Sequence, residues 1–381
     1  MVETVTNRIA VMASVFPPQK KGGGPAVSIS NFVKCIKDHS RIYVISHNHE
    51  INSKDSLKGV LGNSWNKYDD INVYYFNYGD DTIKNIFKLL CEIKPKYIYQ
   101  NSYFTYEQTV AALLYKRLKN SSVRIIIAPR GEFGSEKLKI GALKKLLYHK
   151  TIKLLGLLND VRWQGSGIQD VNDIKSFVPT EDVIDLNSLP CLYEVPTWFT
   201  PKNENEINLV TIGRIHPIKN IHTAIESLMY VKSNVNFDIY GPIEDESYWE
   251  RCKEKINLLP ENIRVTYCGF LEHEKIADTL SRYHVFFSPT CGENFGQSIV
   301  DAIMNATPVI ISDQTPWSDV ELYGGGFTVE LNNINRYSEC IDCIAGFEQE
   351  KYDEMCNSAL RYIKEKLDIE KTIGEYNKLF G

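Results

Sequence analysis

Short apolar runs alternate along this chain with longer segments in which apolar residues recur every three or four positions. Residues 9–16 are almost wholly apolar and read as a buried opening strand. A loop rich in glycine and proline follows, then a helical pattern over 27–37 and strands over 41–46 and 71–76. The pattern continues with a helix over 82–94, a short strand over 97–100, a helix over 106–118 and a strand over 123–128. A long basic helix is expected over 140–158. Residues 187–205 break the rhythm with three prolines and little periodicity, as a linker does. Alternation then restarts with a strand over 207–212 and a helix over 220–232. Further strands are expected over 236–240, 263–267, 285–288 and 308–311, with helices between them and two or three helices over 335–380. Strands alternating with helices predict parallel βαβ units covered on both faces. The expected fold class is α/β, with two doubly wound Rossmann-like domains facing each other across a cleft. They span 1–195 and 206–368.

A length of 381 residues exceeds what one ordinary core holds, which agrees with two domains. A formal net charge of −5 argues against a dedicated nucleic-acid binder. The nine cysteines are scattered; Cys340 and Cys343 form the one close pair and read as one helix face, not as half of a zinc site. Residues 1–10 lack the layout of a signal peptide, and no apolar run nears the ~20 residues that span a bilayer. The expected location is cytoplasmic.

The densest chemistry lies just after the apolar run 285–289. Glu293, Asn294, Phe295, Gly296 and Gln297 lead into a helix, and a second carboxylate, Asp301, follows eight positions after the first. This places Glu293 between the C-terminal end of a strand and the start of a helix, where open α/β sheets bind ligands and helix amides meet anions. A ligand with hydroxyls and phosphate, such as a sugar nucleotide, suits both parts. A second loop, Gly213-Arg214 through Lys219, leaves a strand and presents two cations before a helix. It reads either as an anion clamp or as a surface loop whose cations pair with nearby carboxylates. Both loops follow strands at the same sheet edge, which favours a diphosphate. A third feature, the glycine run containing Gly23 and Gly24, allows close approach to a phosphate or serves as a flexible turn. It is neither a Walker loop nor a dinucleotide fingerprint.

Gly213-Arg214 with Lys219, and Glu293-x-Phe295-Gly296 with an acidic residue at 301, resemble the retaining glycosyltransferases of family 4, which have the GT-B fold. The glycine loop, residues 128–132 and residues 311–317 resemble bacterial members that build surface polysaccharides, including O-antigen and capsule. The resemblance implies that Arg214 and Lys219 hold the donor diphosphate and that Glu293 takes a donor-sugar hydroxyl. It implies that Asn294 to Gln297 line the sugar and phosphate and that Asp301 holds the ribose. Gly213 belongs to the same donor loop, Gly269 and Phe270 lie by the nucleobase, and Gly23 and Gly24 close over phosphate and acceptor. The resemblance further implies that a C-terminal helix at 369–381 completes the first domain. Two departures stand out: the family usually has Glu where this chain has Asp301, and Arg130 stands in a loop where many relatives carry a histidine. Arg130 is open between the phosphate and acceptor loop and an ion pair inside its own domain. Trp317 is open between lining the cleft and packing.

The implied reaction is hexosyl transfer from a UDP- or GDP-sugar to a glycan or lipid-diphosphate-linked acceptor, with retention and with no metal or other cofactor. A carboxylate nucleophile would have to be Glu293. The resemblance implies front-face substitution instead, driven by orientation and by charge on the leaving diphosphate. Residues 137–153 hold six lysines and no acid, interleaved with leucines. They read either as a face for anionic lipid, giving peripheral contact with the inner membrane surface, or as a domain helix with a core stripe and solvated lysines. His47 and His49 read as an ordinary polar loop or an acceptor contact, and Asp69-Asp70 and Asp80-Asp81 as solvated turns. The competing functions are a non-catalytic sugar-nucleotide or glycan-binding subunit and another sugar-nucleotide enzyme on this fold, such as an epimerase.

Overall fold

The computed structural model describes residues 7–20, 22–36, 41–194, 196–197 and 199–381. Lys37, the last position of the first expected helix, and residue 195, the expected end of the first domain, lie outside them. The chain divides into two compact units, residues 1–189 with 369–381, and residues 190–368.

The first unit runs β1 (Arg8–Ala13), α1 (Gly23–Ile36), β2 (Arg41–His47), β3 (Ser64–Tyr68), β4 (Ile71–Phe76), α2 (Ile83–Ile93), β5 (Tyr97–Asn101), α3 (Tyr106–Leu118), β6 (Arg124–Ala128), α4 (Ser135–Lys139), α5 (Ala142–Leu154), β7 (Val161–Gly165), α6 (Ile168–Phe177) and β8 (Val183–Asp185). Its sheet order is β3-β4-β2-β1-β5-β6-β7-β8, antiparallel at β3 with β4 and parallel elsewhere. Both faces are covered, so β1 is apolar from Ile9 to Ala13. Ala10 and Met12 pack with α2 and α3, while Ile9, Val11 and Ala13 pack with α1. Within α2, Ile86, Leu89, Leu90 and Ile93 form the buried stripe at helical spacing, each worth about 1.5–3 kcal/mol on burial. The Thr82 hydroxyl caps this helix by accepting from the Asn85 amide.

The second unit contains β9 (Glu206–Ile212), α7 (Ile221–Leu228), β10 (Asn234–Tyr240), α8 (Glu246–Ile256), β11 (Ile263–Gly269), α9 (Ile276–Leu280), β12 (Val285–Ser288), α10 (Gln297–Met304), β13 (Val309–Ser312), β14 (Gly326–Val329), α11 (Ile334–Ala345) and α12 (Gln349–Lys366). Its strand order is β11-β10-β9-β12-β13-β14, all parallel. Last, α13 (Ile369–Leu379) belongs to the first unit, where Tyr376 and Phe380 pack on Phe32 of α1.

Two differences from the sequence expectation have local causes. The long basic helix is two helices, because Gly141 sits at φ +66° and ends α4 before α5 begins. The expected helix over 220–232 shortens to α7, preceded by a one-turn 3-10 helix over Pro217–Lys219. Cys340 and Cys343 lie one turn apart on α11, at the edge of its buried face, the first buried and the second exposed.

Candidate functional site

In the second unit the chain leaves β9 toward β10 on one side, while β12 is its neighbour on the other. This reversal opens a crevice beyond the carboxyl ends of β9 and β12. The loops that follow those two strands carry Gly213 to Asn220 and Pro289 to Gly296.

Backbone hydrogen bonds lace the first loop to its neighbours. The Gly213 amide donates to Tyr240 O (2.9 Å), Ile215 to Pro242 O (2.8 Å) and Gly241 to Gly269 O (2.8 Å). Gly241 has φ +144°, and a Cβ there would lie 1.8 Å from the Gly213 carbonyl oxygen, so this close approach requires glycine. At the far end of the loop the His216 ring caps the 3-10 turn by accepting from the Ile218 amide. Asn220, at φ +54°, turns the chain into α7 and donates its side-chain amide to Pro289 O at 2.9 Å. The Thr290 hydroxyl and the Cys291 amide both donate back to Ile218 O, at 3.0 and 2.8 Å. The two loops are therefore stitched together on either side of Lys219.

That stitching brings two of the predicted residues together. Lys219 Nζ donates to Glu293 Oε1 at 2.5 Å, with the side chains 19% and 14% exposed. The Glu293 amide in turn donates to Gln314 O. Arg214 is not part of this pair: its guanidinium donates to Glu244 at 2.7 Å, in a largely exposed ion pair. The two cations of this loop thus stand in two separate ion pairs. Gly213 underlies the Lys219 stem, its would-be Cβ 3.4 Å from Lys219 Cε.

Farther along, Phe295 and Gly296 are buried, and Gly296, at φ +73°, turns the chain into α10. Trp317 donates its indole N–H to Phe295 O and packs edge-on against that ring, so it supports the turn from beneath. Asp301 is 2% exposed and accepts from the Gln297 side chain at 2.9 Å. Its carboxylate is therefore withdrawn from solvent. The shorter Asp stem lies along the buried face of α10, within reach of the residue one turn earlier. Burial pushes its carboxyl up to about 7, against the opposing pull of Gln297 and of the Tyr193 hydroxyl. Gln297 Oε1 is buried without a hydrogen-bond partner among the described residues. Asn294 is partly buried, Gly269 ends β11 at φ +75°, and Phe270 is exposed just beyond it.

In the first unit, Gly23 and Gly24 open α1 and are exposed. Arg130, open between the phosphate and acceptor loop and an ion pair inside its own domain, makes no ion pair among the described residues. Its three nitrogens donate to Asn101 Oδ1 (3.1 Å), Ser188 Oγ (2.8 Å) and Tyr99 Oη (2.7 Å), all neutral acceptors inside the unit. The adjacent Glu132 is tied down likewise, accepting from the Ser102 hydroxyl and the Tyr103 and Phe104 amides, while burial raises its carboxyl. His47 meets Asp81 at 3.2 Å, so Asp81 is a paired group and not a solvated turn. Among the described residues no group of three or more His, Cys, Asp or Glu side chains is placed to share a metal ion.

Sequence reasoning passed over Tyr193, Asn220, Glu244, Gly241 and Thr290. Gly241 and Asn220 left one usable signal, a glycine or asparagine directly after or before a regular element. Tyr193 left none, since it lies in the turn-rich linker.

Residues 197–361 match the family described as glycosyl transferases group 1. A stretch of 162 residues, 40% of the chain, is 25% identical to the UDP-N-acetylglucosamine–peptide N-acetylglucosaminyltransferase GtfA subunit of Streptococcus agalactiae, and spans 29% of that protein's length. Among solved structures, sucrose-phosphate synthase from Thermosynechococcus elongatus superposes with a TM-score of 0.73 at 14% identity, covering 98% of both chains. HepE of Anabaena, in complex with UDP and glucose, gives 0.71 at 13% identity, covering 98% of this chain and 99% of that one. The fold is GT-B, built from two Rossmann-like units.

Proposed function

We propose, from a chain whose residues 197–361 carry the group 1 glycosyl transferase pattern, that it moves a hexose-type sugar from a nucleoside-diphosphate sugar to a glycan or lipid-diphosphate-linked glycan, with retention at the anomeric carbon. The observation that carries this reading is the Lys219–Glu293 pair at the strand-order reversal of the second unit. A diphosphate entering there competes with Glu293 for the Lys219 ammonium, which frees the carboxylate to accept from a sugar hydroxyl. Arg214 exchanges Glu244 for the same anion at small cost, because an exposed ion pair contributes little. Charge building on the departing diphosphate is met by these two cations and by the first amides of α10, with no metal assigned a part. Beside Asp301, Gln297 Oε1 has unmet hydrogen-bonding capacity, which a ribose hydroxyl would meet. UDP is the favoured nucleotide, since the sequence relative is named for a UDP-sugar and HepE was solved with UDP. Assembly of a bacterial surface polysaccharide, at the cytoplasmic face of the membrane, is the setting we assign.

A non-catalytic sugar-nucleotide-binding subunit is the second reading, favoured by the burial of Asp301 and by a relative named as a subunit. A panel of UDP- and GDP-sugars, tested first by thermal shift and then by nucleotide release with and without glycan acceptors, separates the two. Acceptor-dependent release, with the anomeric configuration of the product read by NMR, supports a retaining transferase. Donor binding with neither transfer nor slow hydrolysis supports the subunit.

A further inference from the structure

Helix α5 is apolar on two opposite faces. Its inner face, with Tyr148, His149 and Ile152, joins the core of the first unit, where the Tyr103 hydroxyl meets His149 Nδ1 at 3.1 Å. Its outer face carries Leu143, Leu147 and Leu154 at spacings of four and seven residues, with Lys150 on the same stripe. Leu146, Leu155 and Ile140 widen this face, and all six apolar side chains are between 46% and 88% exposed. The leucines of α5 are therefore not the core stripe of an ordinary domain helix. The pair α4 and α5 is also firmly seated. Lys144 lies over the Tyr106 ring at 4.4 Å, Lys145 over the Phe104 ring at 4.9 Å, and Lys145 donates to Lys137 O at 2.6 Å.

We propose that this outer face docks the protein on an anionic bilayer surface. Exposed apolar patches of this kind mark contact sites, and the question is what covers this one. Residues 137–159 contain six lysines and no acidic residue, within a chain of formal net charge −5. Lys150 lies among the outer leucines, with Lys144 and Lys153 one step to either side of them on the helix. A second copy of the same face would set these lysines against their own images, a like-charge arrangement that opposes association. An anionic headgroup layer supplies the opposite charge, and the acyl boundary beneath it receives the leucines. No helix among the described residues is long and apolar enough to cross a membrane, so the contact is with the surface. The inference rests on these side chains and not on the proposed transfer reaction.

The test is flotation of the purified protein with phosphatidylcholine vesicles, with and without phosphatidylglycerol, at low and high salt. The expected result is flotation only with the anionic vesicles, reversed by salt. Leu143→Ser/Leu147→Ser/Leu154→Ser should weaken it at least tenfold, and each of Lys150→Gln and Lys153→Gln about fivefold, with no change in melting temperature. Equal binding to neutral vesicles, or no flotation at all, overturns the proposal. So does a concentration-dependent dimer in sedimentation velocity that the leucine variant abolishes, which would give the face to a second copy. Because the lysine and leucine sets are tested separately, loss of folding in one leaves the other decisive.

Discussion

The ammonium of Lys219 donates to Glu293 Oε1 at 2.5 Å, joining a cation delivered by the strand β9 to a carboxylate delivered by its neighbour β12. Neither residue is on a regular element long enough to hold it alone. Their meeting depends on Asn220, Thr290 and Cys291, which tie the two loops backbone to side chain and backbone to backbone. A charged pair that is mostly but not wholly buried is also one that a stronger anion can open.

Replacing Lys219 with Met keeps the stem and removes the charge, leaving Glu293 without its partner. The expected loss of stability is about 1–3 kcal/mol, below that of a fully buried pair because both side chains keep some exposure. Adding Glu293→Gln to the same chain should restore most of it in urea denaturation. Turnover should behave differently, falling roughly a hundredfold or more with Lys219→Met and staying low in the double variant. Recovery of both together would show the pair to be a strut of the fold and nothing more.

Asp301 makes stability depend on pH in an unusual direction. Burial lifts its carboxyl to about 7, against 3.8 as the ordinary value, so the folded protein keeps a proton that the unfolded chain releases. Its contribution to stability is full below about pH 4 and is lost as pH rises to about 7. The advantage of Asp301→Asn over the wild type should therefore grow by about 4 kcal/mol between pH 4 and pH 8. Melting curves at both pH values measure it. A constant difference would mean that the buried carboxyl is ionised throughout.

Gly241 and Gly269 both hold positive φ, but only one has no room for a side chain. Gly269→Ala meets nothing within 4 Å and should cost about 1–2 kcal/mol of backbone strain alone. Gly241→Ala must displace the Gly213 carbonyl and with it the loop that carries Lys219. We expect it to abolish the thermal shift given by UDP, while Gly269→Ala lowers the baseline melting temperature and keeps the shift. Equal shifts in the two variants would detach Lys219 from nucleotide binding.

Arg130 combines a backbone at φ +54° with three inward hydrogen bonds. Arg130→Ala should destabilise the first unit by about 2–4 kcal/mol, since Tyr99, Asn101 and Ser188 lose a shared donor. Arg130→Gly should recover about 1 kcal/mol of that, because glycine adopts this backbone without strain. Comparable melting temperatures for the two would assign the whole effect to the side chain. Nucleotide-induced shifts should persist in both.

Much of this architecture was legible in the chain. Buried parallel strands such as Phe286-Phe287 announce themselves as unbroken apolar runs, and Tyr106–Leu118 reads as a helix at its true bounds. The strand β3 was passed over because Ser64–Tyr68 alternates Trp, Lys and Asn on an edge that faces water. Gly326–Val329 is a short strand that opens on glycine, which local pattern assigns to a turn. At the site, Lys219 and Glu293 could be named because spacing from strand ends fixes which loops meet. The direction of the Arg214 and Arg130 side chains could not, since it depends on acceptors 30 or more residues away, at Glu244 and at Ser188. Tyr193 reaches Asp301 from a linker with no periodicity to betray it.

The return of α13 to the first unit has a consequence for biosynthesis. Tyr376 and Phe380 fill the space above Phe32, and the Tyr376 hydroxyl bridges Gln164 and Asn187. These residues are translated only after the whole of 190–368, so the unit begun first on the ribosome is completed second. Until then one apolar surface of the nascent first unit waits uncovered.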